Sequence, residues 1–436
     1  MKICTLLLGT LLLLVQQTPT GHSPWEMAVI GRHAAIPLGQ ISGQDSHEMR
    51  RRAWAVFAGI IQPSNVVPDT PEWATWPSRC TSDDLSVPSR KRKIELSTPL
   101  ELLGKVSSSK EFSSLQTINE KAVAFDKIPE ARIGEQIYYN VDCCKHIVGQ
   151  GLLDPKKLDQ QLADVRRLPA PQRTIAPFGE GATVVKAFWL PVGPGLKARI
   201  DTLRTVPDLV VVYAPDKTCN LPIGAGGTVN SSCFYSVPNP NDQTESLILV
   251  GLHVAVKGAT EWSWATFWWH PNPDSGPYAE DKNGITIPGV WGNYLMNTTV
   301  SADTPAEPTA TMGEIKDGVS RHEICGQDIT KASRANICFN PFLEGGMPNG
   351  TRSNCVNCHA HAAYPLMRPD PRSDPRRGSL DPNSACFKNR LQLDHMWSLV
   401  PLAGGNGRNT DTLQTLRIHL DDAILRLHEA NKQSLK

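Results

Sequence analysis

The sequence predicts an α+β fold: an N-terminal helical and β-rich region, the latter an antiparallel sheet or sandwich, followed by a C-terminal segment of mostly loop and helix. Three observations lead there. The 436 residues include 33 glycines and 35 prolines, a share that favours turns and short strands and excludes an all-helical bundle. Apolar residues recur at helical spacing early in the chain, then give way after Gly179 to β-branched and aromatic runs bounded by Pro, Gly and Asn. At about 150 residues per domain, the length allows two or three domains and a sizeable core.

The segments follow in order. Residues 1–20 read as a secretory signal: Met1-Lys2, the apolar run Ile3 to Val15, then Gln16-Gln17 and the small-residue step Thr18-Pro19-Thr20. That run is shorter than the roughly 20 residues needed to span a bilayer, so a membrane anchor is the weaker reading. Residues 21–180 form a mixed, partly helical region. Asp45 and Glu48 suit a capping box, and Ala53, Trp54, Phe57, Ile60 and Ile61 recur at helical spacing until Pro63. The stretch from Pro63 to Lys93 reads as loop, and its basic end, Arg90-Lys91-Arg92-Lys93, as a solvated charge run. Leu152 to Leu168 suggests a second helix before Pro169.

Residues 181–300 form the β-rich domain, with strands expected over Thr183 to Leu190, Asp208 to Tyr213, Ser246 to Val256 and Ser263 to Trp269. Beyond Trp291 the pattern becomes loop with short helices. Residues 301–436 close on an amphipathic helix carrying Leu413, Leu416, Leu420, Ile424 and Leu427, with Asp411 near its start. Lys plus Arg total 44 against 43 for Asp plus Glu, which offers no basic field for a polynucleotide.

Eleven cysteines point to an oxidising compartment. Cys4 leaves with the signal. Cys219 with Cys233, and Cys325 with Cys338, could each close a local disulfide loop. The adjacent Cys143 and Cys144 are expected to reach separate partners, such as Cys80 and Cys386, because a vicinal bridge is strained.

Cys355-Val356-Asn357-Cys358-His359 is a C-x-x-C-H, the attachment sequence of c-type haem. Two thiols one helical turn apart can add to the two porphyrin vinyl groups, and the histidine that follows is aimed at the iron as axial ligand. Chance places this pattern in a chain of such composition less than roughly one time in a hundred. Three other readings compete. Zinc could take Cys355, Cys358, His359 or His361, and Cys386, although no second paired knuckle exists. A thioredoxin-like pair would want a strand before the motif, where Asn349 to Asn354 reads as loop. A plain disulfide is the last.

Around the motif the chain resembles a poorly characterised family of exported bacterial cytochrome-c-like proteins. The likeness lies in Leu249-Val250-Gly251-Leu252-His253-Val254, in Glu261-Trp262-Ser263-Trp264-Ala265-Thr266-Phe267 and in Ser353-Asn354-Cys355-Val356-Asn357-Cys358-His359-Ala360. It touches Ala187-Phe188-Trp189 and Pro71-Glu72-Trp73-Ala74-Thr75-Trp76 as well. Only the haem motif is diagnostic. The resemblance implies export and haem, and carries no substrate.

The expectation is therefore a periplasmic or secreted bacterial monohaem c-type cytochrome acting in electron transfer, whose residues 301–436 are its haem segment. One covalent haem c is bound by Cys355, Cys358 and His359. The partner is an unidentified redox protein, with no nucleic acid and no membrane span once the signal is gone. The rivals are a haem enzyme or a gas or redox sensor with an open iron site, and a zinc- or disulfide-stapled binding module without redox function. No triad, carboxylate-pair motif, phosphate loop or H-E-x-x-H marks a catalytic residue.

For the sixth iron ligand the candidates are His253, His270, Met367, His395 and Met396. Met396 has the loop-borne spacing of ordinary cytochromes c. His253 ranks slightly higher: on its strand it would share a face with Leu249, Gly251 and Ala255, whose nearer members are small and leave room for a macrocycle. Trp262, Trp264 and Trp268 share one strand face, with Phe267 and Trp269 on the other. Core packing is the ordinary reading, an apolar wall for the porphyrin the sharper one. Arg368, Arg372, Arg376 or Arg377 could pair with a haem propionate.

Overall fold

The computed structural model describes residues 46–86 and 134–299, apart from short gaps, and in the C-terminal third residues 323–324, 327–328, 338, 340, 342, 355–360, 362–365 and 387–399. The signal, the basic run, Met367, the four arginines, Cys325, Cys386 and the closing helix lie outside the described residues.

Five helices and thirteen strands occur in the described residues. The helices are α1 (Ser46–Ile60), α2 (Ser82–Ser86), α3 (Val141–Gln150), α4 (Pro155–Val165) and α5 (Cys355–His359). The strands are β1 (Gly134–Tyr139), β2 (Thr183–Val192), β3 (Ala198–Thr202), β4 (Val206–Val212), β5 (Gly227–Asn230), β6 (Ser236–Asn239), β7 (Asp242–Lys257), β8 (Trp262–Trp269) and β9 (Tyr294–Thr299). Four two-residue strands follow: β10 (Glu323–Ile324), β11 (Gln327–Asp328), β12 (Ala363–Tyr364) and β13 (Leu391–Gln392).

The main sheet runs β1-β2-β7-β8-β9, with β6 also paired to β7, and every pairing in it is antiparallel. A second sheet, β3-β4-β5, includes the parallel pair β4 and β5. This is the mixed α+β, antiparallel-sheet-rich architecture that the composition predicts. The sequence reading lacks the strands β1, β3, β5, β6, β9 and β10–β13 and the helices α2 and α3, and it does not set β4 apart from the main sheet. Tyr294–Thr299 is a buried strand where the pattern reads as loop, and β1 joins the sheet from outside 181–300.

The main sheet separates two cores. On one face α1 lays Trp54, Phe57 and Ile60 against Phe267, Tyr294 and the even-numbered residues Leu252, Val254 and Val256 of β7. Phe57 stacks on Phe267 with ring centroids 4.3 Å apart, and Trp54 donates its indole N–H to the Glu280 carbonyl at 3.1 Å. The other face carries Val184, Ala255, Trp262 and Trp264, and onto it pack α3, α4 and the C-terminal residues Cys355, Ala362, Leu391, Leu393, Met396 and Leu399.

Helix α3 is fixed by Asn140, whose side-chain oxygen accepts from the Cys143 N–H at 2.9 Å and from the Thr183 N–H at 3.0 Å. Gly151 ends it in the left-handed conformation, at φ 63°. Asp154 caps α4 and Pro155 occupies its first turn, so the helix is Pro155–Val165 within the span expected from Leu152 to Leu168. The Cys80–Cys144 disulfide ties the residues before β1 to α3, and Cys219–Cys233 closes the local loop that the spacing suggests. Cys143 stays a buried thiol.

Candidate functional site

The site lies where the C-terminal segment meets the second face of the main sheet. The motif folds as the one-turn helix α5, Cys355–His359, so the ends of the C-x-x-C-H share one side. Two backbone bonds stop it, Ala360 N–H to Val356 O at 2.8 Å and Ala362 N–H to His359 O at 3.0 Å. The Leu393 N–H then reaches the Ala362 carbonyl at 2.9 Å, which ties the motif to residues 391–399 through the β12–β13 pair.

His359 is partly buried. Its Nδ1 lies 2.7 Å from the His395 carbonyl oxygen. A carbonyl only accepts, so Nδ1 carries the proton and Nε2 presents a lone pair. The ring lies 4.0 Å from the Trp264 ring and 5.8 Å from that of His253, with interplanar angles of 43° and 30°. Burial, then the neighbouring His253, pushes the His359 pKa well down, and the ring is neutral at pH 7.

His253 lies in the middle of β7, between Lys186 of β2 and Thr266 of β8. It is 4 % exposed, its ring is 5.4 Å from that of Trp264, and neither ring nitrogen has a hydrogen-bond partner. Burial, helped by the charge of Lys186, pulls its pKa down to about 3. An imidazole with two orphaned nitrogens is costly in a core, because most buried polar groups are bonded.

The surroundings of His253 differ from the sequence argument for it. A bulge at the β2–β7 pairing, between Phe188 and Trp189, shifts β7, so Leu249 belongs to the first core and does not share the His253 face. Gly251 is also not open space. A Cβ there would sit 3.2 Å from the Phe267 carbonyl, 3.3 Å from Asn340 Nδ2 and 3.3 Å from Phe188. The glycine admits Asn340, which donates to Thr266 Oγ1 at 2.7 Å and to the Phe267 carbonyl at 3.0 Å. Ala255 does lie on the site face, with Trp264 opposite it in register.

Cys355 is buried, and its Sγ sits 3.4 Å from both the Sγ and the carbonyl oxygen of Cys338. Cys338 therefore faces Cys355. The Cys358 side chain lies outside the described residues, although its backbone is in α5. Met396 is buried in the same core as Cys355 and donates its N–H to Leu393 O at 2.9 Å. His270 follows β8 with Nδ1 engaged by Asn272, and His395 contributes its carbonyl to His359. Trp262 and Trp264 occupy the site face and Phe267 and Trp269 the opposite core, as their spacing predicts.

Sequence reasoning missed two groups. Lys257, at the end of an apolar strand, is 4 % exposed and donates to both carboxylate oxygens of Asp394, at 3.0 and 3.2 Å. The only signal was a charge inside an otherwise apolar run, which demands a partner without naming it. Asp394 also accepts the Phe178 N–H at 2.9 Å. Burial alone would raise its pKa, but the His395 side chain, Lys257 and that N–H together hold it below the usual carboxylate range.

The residues suit a haem at the iron, where two neutral imidazoles with available nitrogens lie 5.8 Å apart beside an indole wall. Cys355 fits only after turning from Cys338. Of the residues that zinc could take, Cys358, His361 and Cys386 have side chains outside the described residues, and no group of three or more His, Cys, Asp or Glu converges among the described ones. No described helix is long and apolar enough to cross a membrane. Comparison of the chain with family models, curated proteins and solved structures gives no match.

Proposed function

We propose that the chain is an exported monohaem c-type cytochrome that transfers electrons. Cys355 and Cys358 would hold the haem covalently, and His359 and His253 would supply nitrogens to its iron. The observation that carries the reading is the pair of imidazoles: the C-x-x-C-H histidine with its Nδ1–H bonded to a carbonyl, beside a buried histidine with no partner for either nitrogen. A metal-bound histidine commonly donates its second nitrogen to a carbonyl in this way, which fixes tautomer and orientation.

Bound here, the haem would supply one-electron chemistry. The protein's own part is to hold both imidazoles neutral, to keep His359 Nε2 unprotonated, and to exclude water with Trp264, Trp262 and Ala255. His253 also favours electron transfer over the open-site enzyme or sensor, because its nitrogen would leave no coordination site on the iron for a substrate or gas. Residues 301–436 are the haem segment in this reading, and residues 1–20 direct export to the periplasm or beyond, where a redox protein is the partner.

A second reading has its own observation. The 3.4 Å between Cys338 and Cys355 sulfurs suits a disulfide that staples a module without haem. One preparation tests both. The full chain, matured in a host with haem-ligation machinery, is expected to stain for haem on a denaturing gel and to give a c-type haemochrome. The Cys355→Ala/Cys358→Ala variant is expected to give neither. A colourless wild-type protein with a Cys338–Cys355 bridge in its peptide map would overturn the haem reading.

A further inference from the structure

The His395 carbonyl reaches His359 only because two adjacent non-glycine residues adopt left-handed backbone: Asp394 at φ 44° and His395 at φ 69°. An isolated residue of this kind is uncommon, and two in succession persist only where the surroundings hold them. The surroundings supply that hold. The Asp394 carboxylate is clamped by the Lys257 ammonium, with side chains 12 % and 5 % exposed, and by the Phe178 N–H. Lys257 is itself fixed in β7, its backbone bonded to Ala182 and Gly181, and its Nζ lies 5.4 Å over the Trp262 ring. His395 Nδ1, 3.8 Å from Asp394 Oδ1, is beyond hydrogen-bond distance, so it acts on the carboxylate through its proximity and does not fix the backbone as Lys257 and the Phe178 N–H do. Lys257 stands four residues beyond His253 on the same strand face, so one strand carries both the partner of His359 and the anchor of the segment that orients His359.

We propose that Lys257 and Asp394 are positioning residues for His359: their ion pair holds residues 394–395 in the conformation that turns the His395 carbonyl onto His359 Nδ1, and so selects the tautomer with a free Nε2. The use of that nitrogen by a haem iron rests on the function proposed above. The tautomer does not, since it belongs to the chain alone.

The test uses the full chain, produced without haem and labelled with ¹⁵N-histidine, in long-range ¹H–¹⁵N correlation spectra at pH 8. Loss of one cross-peak set in His359→Gln assigns the residue. Wild type is expected to show His359 as the Nδ1–H form. Asp394→Asn and Lys257→Met are expected to lower the ratio of Nδ1–H to Nε2–H about tenfold, the effect of one lost buried hydrogen bond. Lys257→Arg, which keeps the charge, is expected to restore most of the wild-type ratio. His395→Gly placed in the Asp394→Asn background is expected to restore it too, because glycine takes the left-handed conformation without strain and keeps the carbonyl.

An unchanged ratio in both single variants overturns the proposal. So does a lowered ratio that His395→Gly fails to rescue, since the pair would then not act through the backbone. If Lys257→Met does not fold, the near-isosteric Asp394→Asn decides alone. A chain that never binds haem but shows the tautomer change and its rescue keeps this inference and sinks the haem reading. A haem-bearing chain whose His359 ignores the pair does the reverse. In the haem-bearing protein the same substitutions are expected to shift the midpoint potential, because the carbonyl bond sets the basicity of the ligand.

Discussion

Replacing His253 by leucine separates a ligand from a packed core histidine, because the two predict opposite effects on the haem-free chain. His253 is 4 % exposed with both ring nitrogens unpartnered. Each buried, unbonded polar group costs about 1–3 kcal/mol, so a leucine of similar volume is expected to stabilise the haem-free protein by about 2 kcal/mol at pH 8. Acid widens the gap. The folded-state pKa is depressed to about 3, whereas an unfolded histidine titrates near 6.5. Between those values the unfolded chain takes up a proton that the folded chain refuses, so wild type loses stability as pH falls below about 6.5, by up to about 1.4 kcal/mol per unit. The variant loses nothing from this source. At pH 5 the difference should therefore grow by about 2 kcal/mol. Urea titrations at pH 8 and pH 5 measure it, and the haem-bearing form of the same variant should lose its low-spin spectrum. A haem-free His253→Leu that is less stable than wild type at both pH values, with an unaltered low-spin haem spectrum, would refute the assignment.

Other expectations are independent of the haem. Removing the Cys80–Cys144 disulfide, whose partners are 64 residues apart, should cost about 4 kcal/mol by the loop-entropy relation, and removing Cys219–Cys233, 14 apart, about 3. Paired alanine variants compared in urea should show that order. Gly251→Ala should cost about 1–3 kcal/mol and detach Asn340, because its Cβ meets backbone and two packed side chains; equal midpoints for variant and wild type would contradict the packing.

Much of the sheet was legible because β-branched and aromatic runs such as Thr183–Val192 and Trp262–Trp269 carry their own periodicity and end at Gly, Pro or Asn. Strand β9 was not, since Asn297, Thr298 and Thr299 are polar residues buried by pairing to β8, and burial by a neighbour leaves no local pattern. In the site, Cys355, His359 and His253 could be named from motif and strand position. The contact between His253 and His359 could not be derived, because it spans more than a hundred residues and depends on how the C-terminal segment docks. The bulge that moves Leu249 to the other core defeats strict alternation, which assumes an unbroken register. Lys257 and Asp394 lie as far apart in sequence, and a single charge in an apolar run says only that some partner exists.

Cys355 has one sulfur and two chemistries, and the choice between them shows at Cys338. A thioether to haem forms when the Cys355 thiol adds across a vinyl double bond, with no net oxidation. A Cys338–Cys355 bridge instead removes two electrons and two protons, which a disulfide oxidant would accept. The two products exclude each other at Cys355. The structure leaves Cys338 fully buried, 3.4 Å from Cys355, so a thioether at Cys355 would leave Cys338 as a buried, unbridged thiol. A mature haem-bearing protein, denatured in excess alkylating agent and digested, should then yield Cys338 alkylated and Cys355 carrying porphyrin. Cys338→Ser should leave haem attachment at wild-type level or raise it, because it removes only the competitor for Cys355. Haem attachment that falls severalfold in Cys338→Ser, with folding intact, would mean that Cys338 assists the ligation and that the two thiols do not compete.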